Sequence, residues 1–368
     1  MPITIFYMNL SINKNYGDTN FVTGMRAYAA LAVVLIHTGG AGLRELGYVG
    51  NNFVDFCRTG VLIFFVISGF SVATSYKNSY SYLQYLGKRL LRIAPLYYFW
   101  LAFSIIFSAT AIAWQENFGS TINVYAVMMH LSFLSFLDYR IANNIIGVEW
   151  SIPIEVFWYF FLPLMVIFSR SWNALVLMLA SSLTIYVLGE AFATKIFSNA
   201  GSNALLALNW SPLPYFFSFT LGIAAYRLRL TNVNWGTISS TILGLSVMAI
   251  LMYCYRPAFI LRIFNTEFIF ISLIAFLLIL VGSKGNRIFN FIFCNRLISF
   301  LGVISYGIYL CHMPIFNLLN KLEISLFQNP VIIFLVVTFL AALASALTYF
   351  LIERPCSYLG NHIKGSTR

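Results

Sequence analysis

The stretch PVIIFLVVTFLAALASALTYFLI, from Pro330 to Ile352, decides the class of fold because it contains no charged residue. About 20 consecutive apolar residues cross the hydrocarbon core of a bilayer, so this stretch alone predicts a transmembrane helix. Further apolar stretches predict further spans at 21–38, 60–76, 95–114, 152–169, 172–190, 212–228, 236–254, 266–282 and 299–319. The sequence therefore predicts an all-α, polytopic membrane bundle of about ten transmembrane helices.

The composition excludes an ordinary soluble domain. Charged residues make up 9% of the 368 residues and hydrophobic residues 60%, with a mean hydropathy of +0.83. A soluble domain carries about 25% charged residues, and so few charges cannot cover its surface. The spans leave no room for a soluble domain of useful size. We therefore expect one membrane-embedded domain over 1–368, with a helical core over about 21–355.

The excess of 22 Lys and Arg over 11 Asp and Glu is interpreted as a topology signal and not as nucleic-acid binding. With the N-terminus inside, the outer loops hold seven of these basic residues: Arg44, Arg58, Arg140, Lys195, Arg256, Arg262 and Lys321. The rest lie on the inner side, so both termini are predicted to be cytoplasmic. The five cysteines show no metal-ligand spacing, and we expect no metal site.

Arg26 and His37 are ionisable residues inside the first predicted span. Eleven positions correspond to about 1100° of rotation and about 16 Å of rise, so both side chains share one helix face. Ionisable groups inside a membrane are costly and are functional candidates by default. The alternatives are that Arg26 reaches the inner interface and that His37 hydrogen-bonds another helix.

A basic cluster precedes the third span at Lys88, Arg89 and Arg92. Arg89 and Arg92 are three positions apart and are neighbours on a helix. Guanidinium groups bind phosphate oxygens in pairs and remain charged, which indicates an anion site. A positive-inside membrane anchor is the alternative interpretation.

The fourth span begins at Glu149-Trp150-Ser151-Ile152-Pro153-Ile154-Glu155. Ser151 is predicted to cap this helix, and Pro153 is tolerated in its first turn. Glu155 lies on the same face as Ser151 and is a candidate functional carboxylate, or a carboxylate held by the positive end of the helix. Glu149 is expected to be solvated.

Ser305, Tyr309 and His312 form a polar face in the ninth span, at positions i, i+4 and i+7. Interhelical hydrogen bonding is the alternative role for these residues. Elsewhere we expect His130 to lie at the membrane interface, and Asp55 and Arg58 to form a local charge pair.

Together these motifs resemble the acyltransferase 3 family of integral membrane acyltransferases. The matching segments are Arg26-x10-His37, Phe64 to Phe70, Lys88 to Pro95, Trp150 to Glu155, Ser305 to His312, and Glu353-Arg354-Pro355. The resemblance implies about ten core helices in a bacterial inner membrane. It implies transfer of an acyl group, commonly acetyl from acetyl-CoA, to a carbohydrate hydroxyl in a polysaccharide, O-antigen or lipid-linked glycan. Some members carry an additional SGNH hydrolase-like domain, which we do not expect in this chain.

The predicted mechanism uses acetyl-CoA as a substrate and requires no permanently bound cofactor. Its phosphates are expected to bind Arg26, Lys88, Arg89 and Arg92, and its arm to pass Ser68 and Gly69. Tight helix packing is the alternative role for Gly69. His37 is the predicted general base, with Glu155 as the carboxylate that orients it. Tyr309 or His312 is expected to donate a hydrogen bond to the oxyanion.

Two other functions remain open from the sequence. One is acylation of a cytoplasmic sugar-containing small molecule, which would use the same motifs. The other is a transporter or flippase whose buried charged residues line a substrate path. The oligomeric state and the acceptor sugar have no readable signal.

Overall fold

The computed structural model describes residues 19–76, 81–231, 236–255 and 267–362, and every regular element within them is helical. The α-helices are α1 Asn20–His37, α2 Tyr48–Cys57, α3 Gly60–Tyr76, α4 Tyr82–Ile106, α5 Ile112–Phe118, α6 Val124–Leu131, α7 Ser151–Phe168, α8 Trp172–Ile196, α9 Ala204–Asn209, α10 Phe216–Arg229, α11 Gly236–Tyr255, α12 Glu267–Ser283, α13 Arg287–Phe293, α14 Arg296–Val303, α15 Ser305–Asn320, α16 Pro330–Thr348 and α17 Arg354–His362. A π-helical turn over Tyr349–Glu353 joins the last two. The all-α prediction is confirmed.

Six apolar helical segments are long enough to cross a membrane, and up to eight if two bent helix pairs each count as one span. The predicted spans 212–228 and 236–254 coincide with α10 and α11, which fall outside this set. The count of ten spans and the cytoplasmic position of both termini stay predictions. Several of the basic residues used for orientation lie outside the described residues: Lys14, Lys77, Arg256, Arg262, Lys364 and Arg368.

Helix α4 begins about one dozen residues before the predicted third span, because Ser81 caps it. The Ser81 side chain accepts a hydrogen bond from the Gln84 backbone N–H at 3.2 Å, which satisfies one of the free donors of the first turn. The basic cluster at 88–92 is therefore inside the helix, with Pro95 farther along it. The cationic side chains are fixed to a rigid element as a result.

The predicted ninth span is two helices and not one. Helices α14 and α15 meet at a bend of 69° around Ile304. Ser305 consequently starts a new helix, and its hydroxyl donates to the Gly302 carbonyl oxygen at 2.8 Å. This break sets the direction of α15, which carries Tyr309 and His312 through the centre of the bundle.

Helices α3 and α10 pack at unusually close range in the core. A methyl group added at Gly69 would lie 2.2 Å from the Phe219 carbonyl oxygen, and one at Gly222 would lie 2.1 Å from the Val66 oxygen. Only glycine permits this approach of two helix backbones. Gly69 therefore serves helix packing, the alternative role given above, and its contact with the donor stays a prediction.

Two ion pairs at the ends of helices differ from the predicted one. Asp55 pairs with Arg44 at 2.9 Å, and Arg58 pairs with Glu267 at 2.5 Å. The predicted pair of Asp55 with Arg58 is wrong because each residue has another partner, 11 positions away for Asp55 and 209 positions away for Arg58. The second pair links the loop before α3 to the start of α12.

Candidate active site

A cavity of about 700 Å³ opens where α1, α4 and α17 meet, and we call it the cationic cavity. Five basic side chains line it, Arg26, Lys88, Arg89, Arg92 and Arg354, together with the carboxylate of Glu353. Three of them come from α4, where Arg89 and Arg92 are neighbours on the helix as their spacing predicts. The structure thus brings together all four cations that the sequence analysis assigned to donor binding.

Two arginines of the cationic cavity are held by neutral partners. An Arg26 N–H donates to the Ser71 hydroxyl at 3.1 Å, and an Arg89 N–H donates to the Ser75 hydroxyl at 2.6 Å. None of the five basic residues belongs to an ion pair within the described part of the chain. Their charge is left to stabilise a bound anion, and guanidinium groups suit phosphate oxygens.

A narrow pocket of about 60 Å³, the bundle pocket, adjoins the cationic cavity. Arg26 and Arg92 line both spaces, which places the two next to each other. Glu155 lies in the bundle pocket, where it accepts hydrogen bonds from the Ser68 hydroxyl and from the Tyr159 hydroxyl, the latter at 2.6 Å. Ser68 and Glu155 therefore lie in the predicted site, hydrogen-bonded to each other.

Tyr309 closes the far end of the bundle pocket. Its hydroxyl donates to the Val148 carbonyl oxygen at 2.6 Å and lies 2.8 Å from the Ser151 hydroxyl. A carbonyl can only accept, so Tyr309 donates to Val148, and Ser151 donates to Tyr309. Ser151 is not a helix cap, because its side chain makes this bond instead. The Phe64 ring lies 6.0 Å from the Tyr309 ring and completes the closure.

His37 and His312 form a pair beyond Tyr309. The His37 Nδ1 atom lies 3.0 Å from His312 Nε2, and the two rings are stacked with centroids 5.2 Å apart. His312 is fully buried, and its Nδ1 lies 3.1 Å from the Ile308 carbonyl oxygen. That carbonyl requires a proton on His312 Nδ1. In the neutral pair, His312 Nε2 therefore accepts from His37 Nδ1, and His37 Nε2 is left with a free lone pair.

This arrangement changes two predicted roles. His37 is oriented by His312 and not by Glu155, whose hydrogen bonds go to Ser68 and Tyr159. His312 has no proton on Nε2 to offer to an oxyanion, and the Tyr309 proton is directed at Val148. The predicted oxyanion roles of both residues therefore do not fit this geometry.

A second buried polar cluster was missed by the sequence analysis. Glu149 is fully buried and accepts hydrogen bonds from the backbone N–H groups of Ile145, Ile146 and Gly147, at 2.7, 3.0 and 2.6 Å. His130 is also fully buried, 3.9 Å from that carboxylate and 3.0 Å from the Tyr97 hydroxyl.

The expectations of a solvated Glu149 and an interfacial His130 are both wrong. The available signal was the apolar residue on each side of Glu149, Val148 and Trp150. Within the described residues, no group of three His, Cys, Asp or Glu side chains is placed to hold a metal ion.

A family model for an acyltransferase domain matches residues 19–350. Acetyltransferase ORF330 of Acidianus two-tailed virus is 25% identical over 89% of this chain and 92% of its own length. O-acetyltransferase OatA of Staphylococcus aureus is 23% identical over 90% of this chain and 56% of its own length.

Nodulation protein 10 of Rhizobium leguminosarum is 26% identical over 50% of this chain and 53% of its own length. The match to OatA covers little more than half of the length of that protein. No solved structure matches the chain.

Proposed function

The chain belongs to the acyltransferase family whose model covers residues 19–350, and from this we propose that it transfers an acyl group, in the first instance acetyl, from acyl-CoA to a carbohydrate hydroxyl. The family and the relatives named O-acetyltransferases make it a membrane-embedded O-acyltransferase. The donor, the acceptor class and a location in a bacterial inner membrane belong to the proposal.

One observation supports the donor more than any other. The cationic cavity holds five basic side chains without a carboxylate partner within the described residues, and its guanidinium groups suit phosphate oxygens. Acyl-CoA carries phosphates at one end and a thioester at the end of a flexible arm. The adjoining bundle pocket leads away from the cations toward Tyr309, which suits an arm and excludes the phosphates.

The His37–His312 pair supports base catalysis. In our mechanism, His37 Nε2 takes the proton of the acceptor hydroxyl while the hydroxyl oxygen attacks the thioester carbon. The new C–O bond forms, the C–S bond breaks, and the departing CoA sulfur takes the proton from His37. A positioned base of this kind contributes about 10²–10⁴ in rate. His312 holds the His37 ring in the tautomer that leaves Nε2 free.

The thioester must pass Phe64 and Tyr309 to reach His37. Arg26 and His37 share one face of α1 and are separated by about 16 Å along the helix axis. His37 is half-buried at the far end of α1, whereas Arg26 lies in the cationic cavity. We infer that the donor enters from the cytoplasm and the acceptor from the opposite side, and that the Phe64 and Tyr309 rings separate the two.

The test is release of free CoA from acetyl-CoA by the purified protein in liposomes, with and without envelope glycan of the source cells. We expect release by the wild type, loss in His37→Ala, and weaker CoA binding in Arg89→Ala. Arg287→Ala is the matched control, because this arginine is exposed and outside the cationic cavity.

The alternatives predict different results. No CoA binding and no CoA release by the wild type would overturn the proposal in favour of a transporter. CoA release stimulated only by cytosolic sugar metabolites, with no label in the glycan, would favour the cytoplasmic acceptor.

A further inference from the structure

A second cavity, of about 450 Å³, lies at the opposite end of α15 from the cationic cavity. The cationic cavity borders Gly302 and Val303 at the end of α14, just before α15 begins, and the second cavity borders the end of α15 at Asn317, Asn320 and Lys321. The volume is in the range of small-molecule sites. We call it the asparagine pocket.

Side-chain amides dominate the polar lining of this pocket. Asn117, Asn143, Asn317 and Asn320 contribute to it, and Lys321 is its one charged residue. Asn117 and Asn320 are exposed, and their amides make no hydrogen bond within the described part of the chain. An amide donates and accepts at the same time, and this suits hydroxyl groups that also do both.

Asn143 adds a buried acceptor without a partner. Its side chain is 7% exposed, and its N–H₂ donates to the Gly147 carbonyl oxygen at 2.5 Å. Its Oδ1 atom has no hydrogen-bond partner in the described structure. A buried acceptor of this kind costs free energy until a donor reaches it.

The asparagine pocket is one loop away from the bundle pocket. Gly147 lines the former, and its neighbour Val148 accepts the hydrogen bond of Tyr309 in the latter. The Glu149 carboxylate holds this loop rigid through three backbone N–H groups, and Gly147 takes a φ of +104° that favours glycine. Met313, the residue after His312, lines the pocket as well.

We propose that the asparagine pocket binds an uncharged sugar unit of the acceptor, next to the unit whose hydroxyl reacts. Amides without a carboxylate or an arginine cluster favour a neutral polyhydroxylated ligand over an anionic one. The position opposite the cationic cavity suits an acceptor that approaches from the other side of the membrane. This inference rests on the proposed function and assigns the acceptor side of the same reaction.

The experiment fills the pocket and leaves the donor site unchanged. Ala113 is exposed and lines the asparagine pocket, so Ala113→Trp places an indole inside it. Ala191→Trp is the matched control, because Ala191 is also exposed, lies on α8 and is outside the pocket. Asn117→Ala and Asn320→Ala remove the two amides that have no partner within the described chain. Each variant is assayed in liposomes for CoA release into water and for acetyl transfer to envelope glycan of the source cells.

We expect Ala113→Trp to keep wild-type CoA affinity and CoA release into water but to lose at least tenfold in transfer to glycan. The two alanine variants should raise the KM for glycan severalfold with little change in kcat. Wild-type glycan kinetics in Ala113→Trp would overturn the site. A wild type that releases CoA but labels no glycan would overturn the acceptor class. If the wild type releases no CoA, the proposed function itself is wrong, and this result is distinct from a failure of the acceptor site alone.

Discussion

The protons of the histidine pair decide which residue can act as a base. The Ile308 carbonyl determines the tautomer of His312, and His312 in turn determines that of His37. These hydrogen bonds connect the Ile308 carbonyl of α15 to His312 and His312 to His37, whose Nε2 stays free, and no carboxylate takes part. The assignment of base and orienting residue therefore follows from hydrogen-bond direction.

The first prediction concerns this pair. His37→Ala should reduce the turnover of acetyl-CoA by about 10²–10⁴ at unchanged CoA affinity. His312→Ala should reduce it less, because the base remains but its ring is no longer oriented. His312→Gln should recover part of the loss, since the Gln carbonyl oxygen can still accept from His37 Nδ1. Steady-state kinetics and CoA binding by calorimetry measure both quantities.

A rescue by Gln separates orientation from packing. If His312→Gln and His312→Ala lose the same activity while both proteins fold and bind CoA, the orienting role assigned to His312 is wrong.

The second prediction concerns the cations that we propose bind the donor. Arg89→Ala should raise the Kd for CoA about 10- to 100-fold, because a hydrogen bond to a charged group is worth about 1.5–3 kcal/mol. The Kd of Arg89→Lys for CoA should lie between those of the wild type and Arg89→Ala, since lysine keeps the charge and loses the paired donors. The loss should shrink at high salt, where the charges are screened. Equal salt dependence in Arg287→Ala and Arg89→Ala would contradict a specific phosphate contact.

At the scale of the helix, the contact of α3 with α10 tests why two glycines lie in the core. Gly69→Ala places a methyl group 2.2 Å from a backbone oxygen that cannot move away alone. Overpacking of this kind costs about 1–3 kcal/mol, so the Tm in detergent should fall. Gly244→Ala in α11 is the matched control, because its added methyl group meets no atom within 4 Å and Ala gains up to about 1 kcal/mol in a helix.

The two glycine variants also separate packing from donor binding. If Gly69→Ala kept the wild-type Tm and lost only CoA affinity, the assignment of Gly69 to packing would be wrong, and the predicted contact of Gly69 with the donor would be supported.

At the scale of the whole molecule, the two cavities at the ends of α15 predict opposite accessibility. Asn320→Cys should react with a membrane-impermeant maleimide added to intact cells. Ser357→Cys, which lines the cationic cavity, should react only after permeabilisation. The background should carry Cys294→Ser and Cys356→Ser, because the other three native cysteines are buried.

Labelling of both positions from the same side would contradict the two-sided arrangement. Reversed labelling would keep the arrangement and overturn the predicted orientation of the termini.

The sequence by itself determined the class of fold, since apolar stretches long enough to cross a bilayer leave helices as the available structure. It also determined which residues are candidates for the site, because charges at helical spacing inside such stretches are costly and are functional candidates by default. The Arg26 and His37 face and the α4 cluster are of this kind.

Only the tertiary structure decided how these residues pair. His37 meets His312 across 275 positions of sequence, and Glu155 meets Ser68 and not His37. It also showed that Gly69 serves packing and that Glu149 is buried. The physical reason is that periodicity specifies the face of one helix, whereas hydrogen-bond partners depend on the rotation and height of two helices against each other. Those are set by packing across the whole bundle.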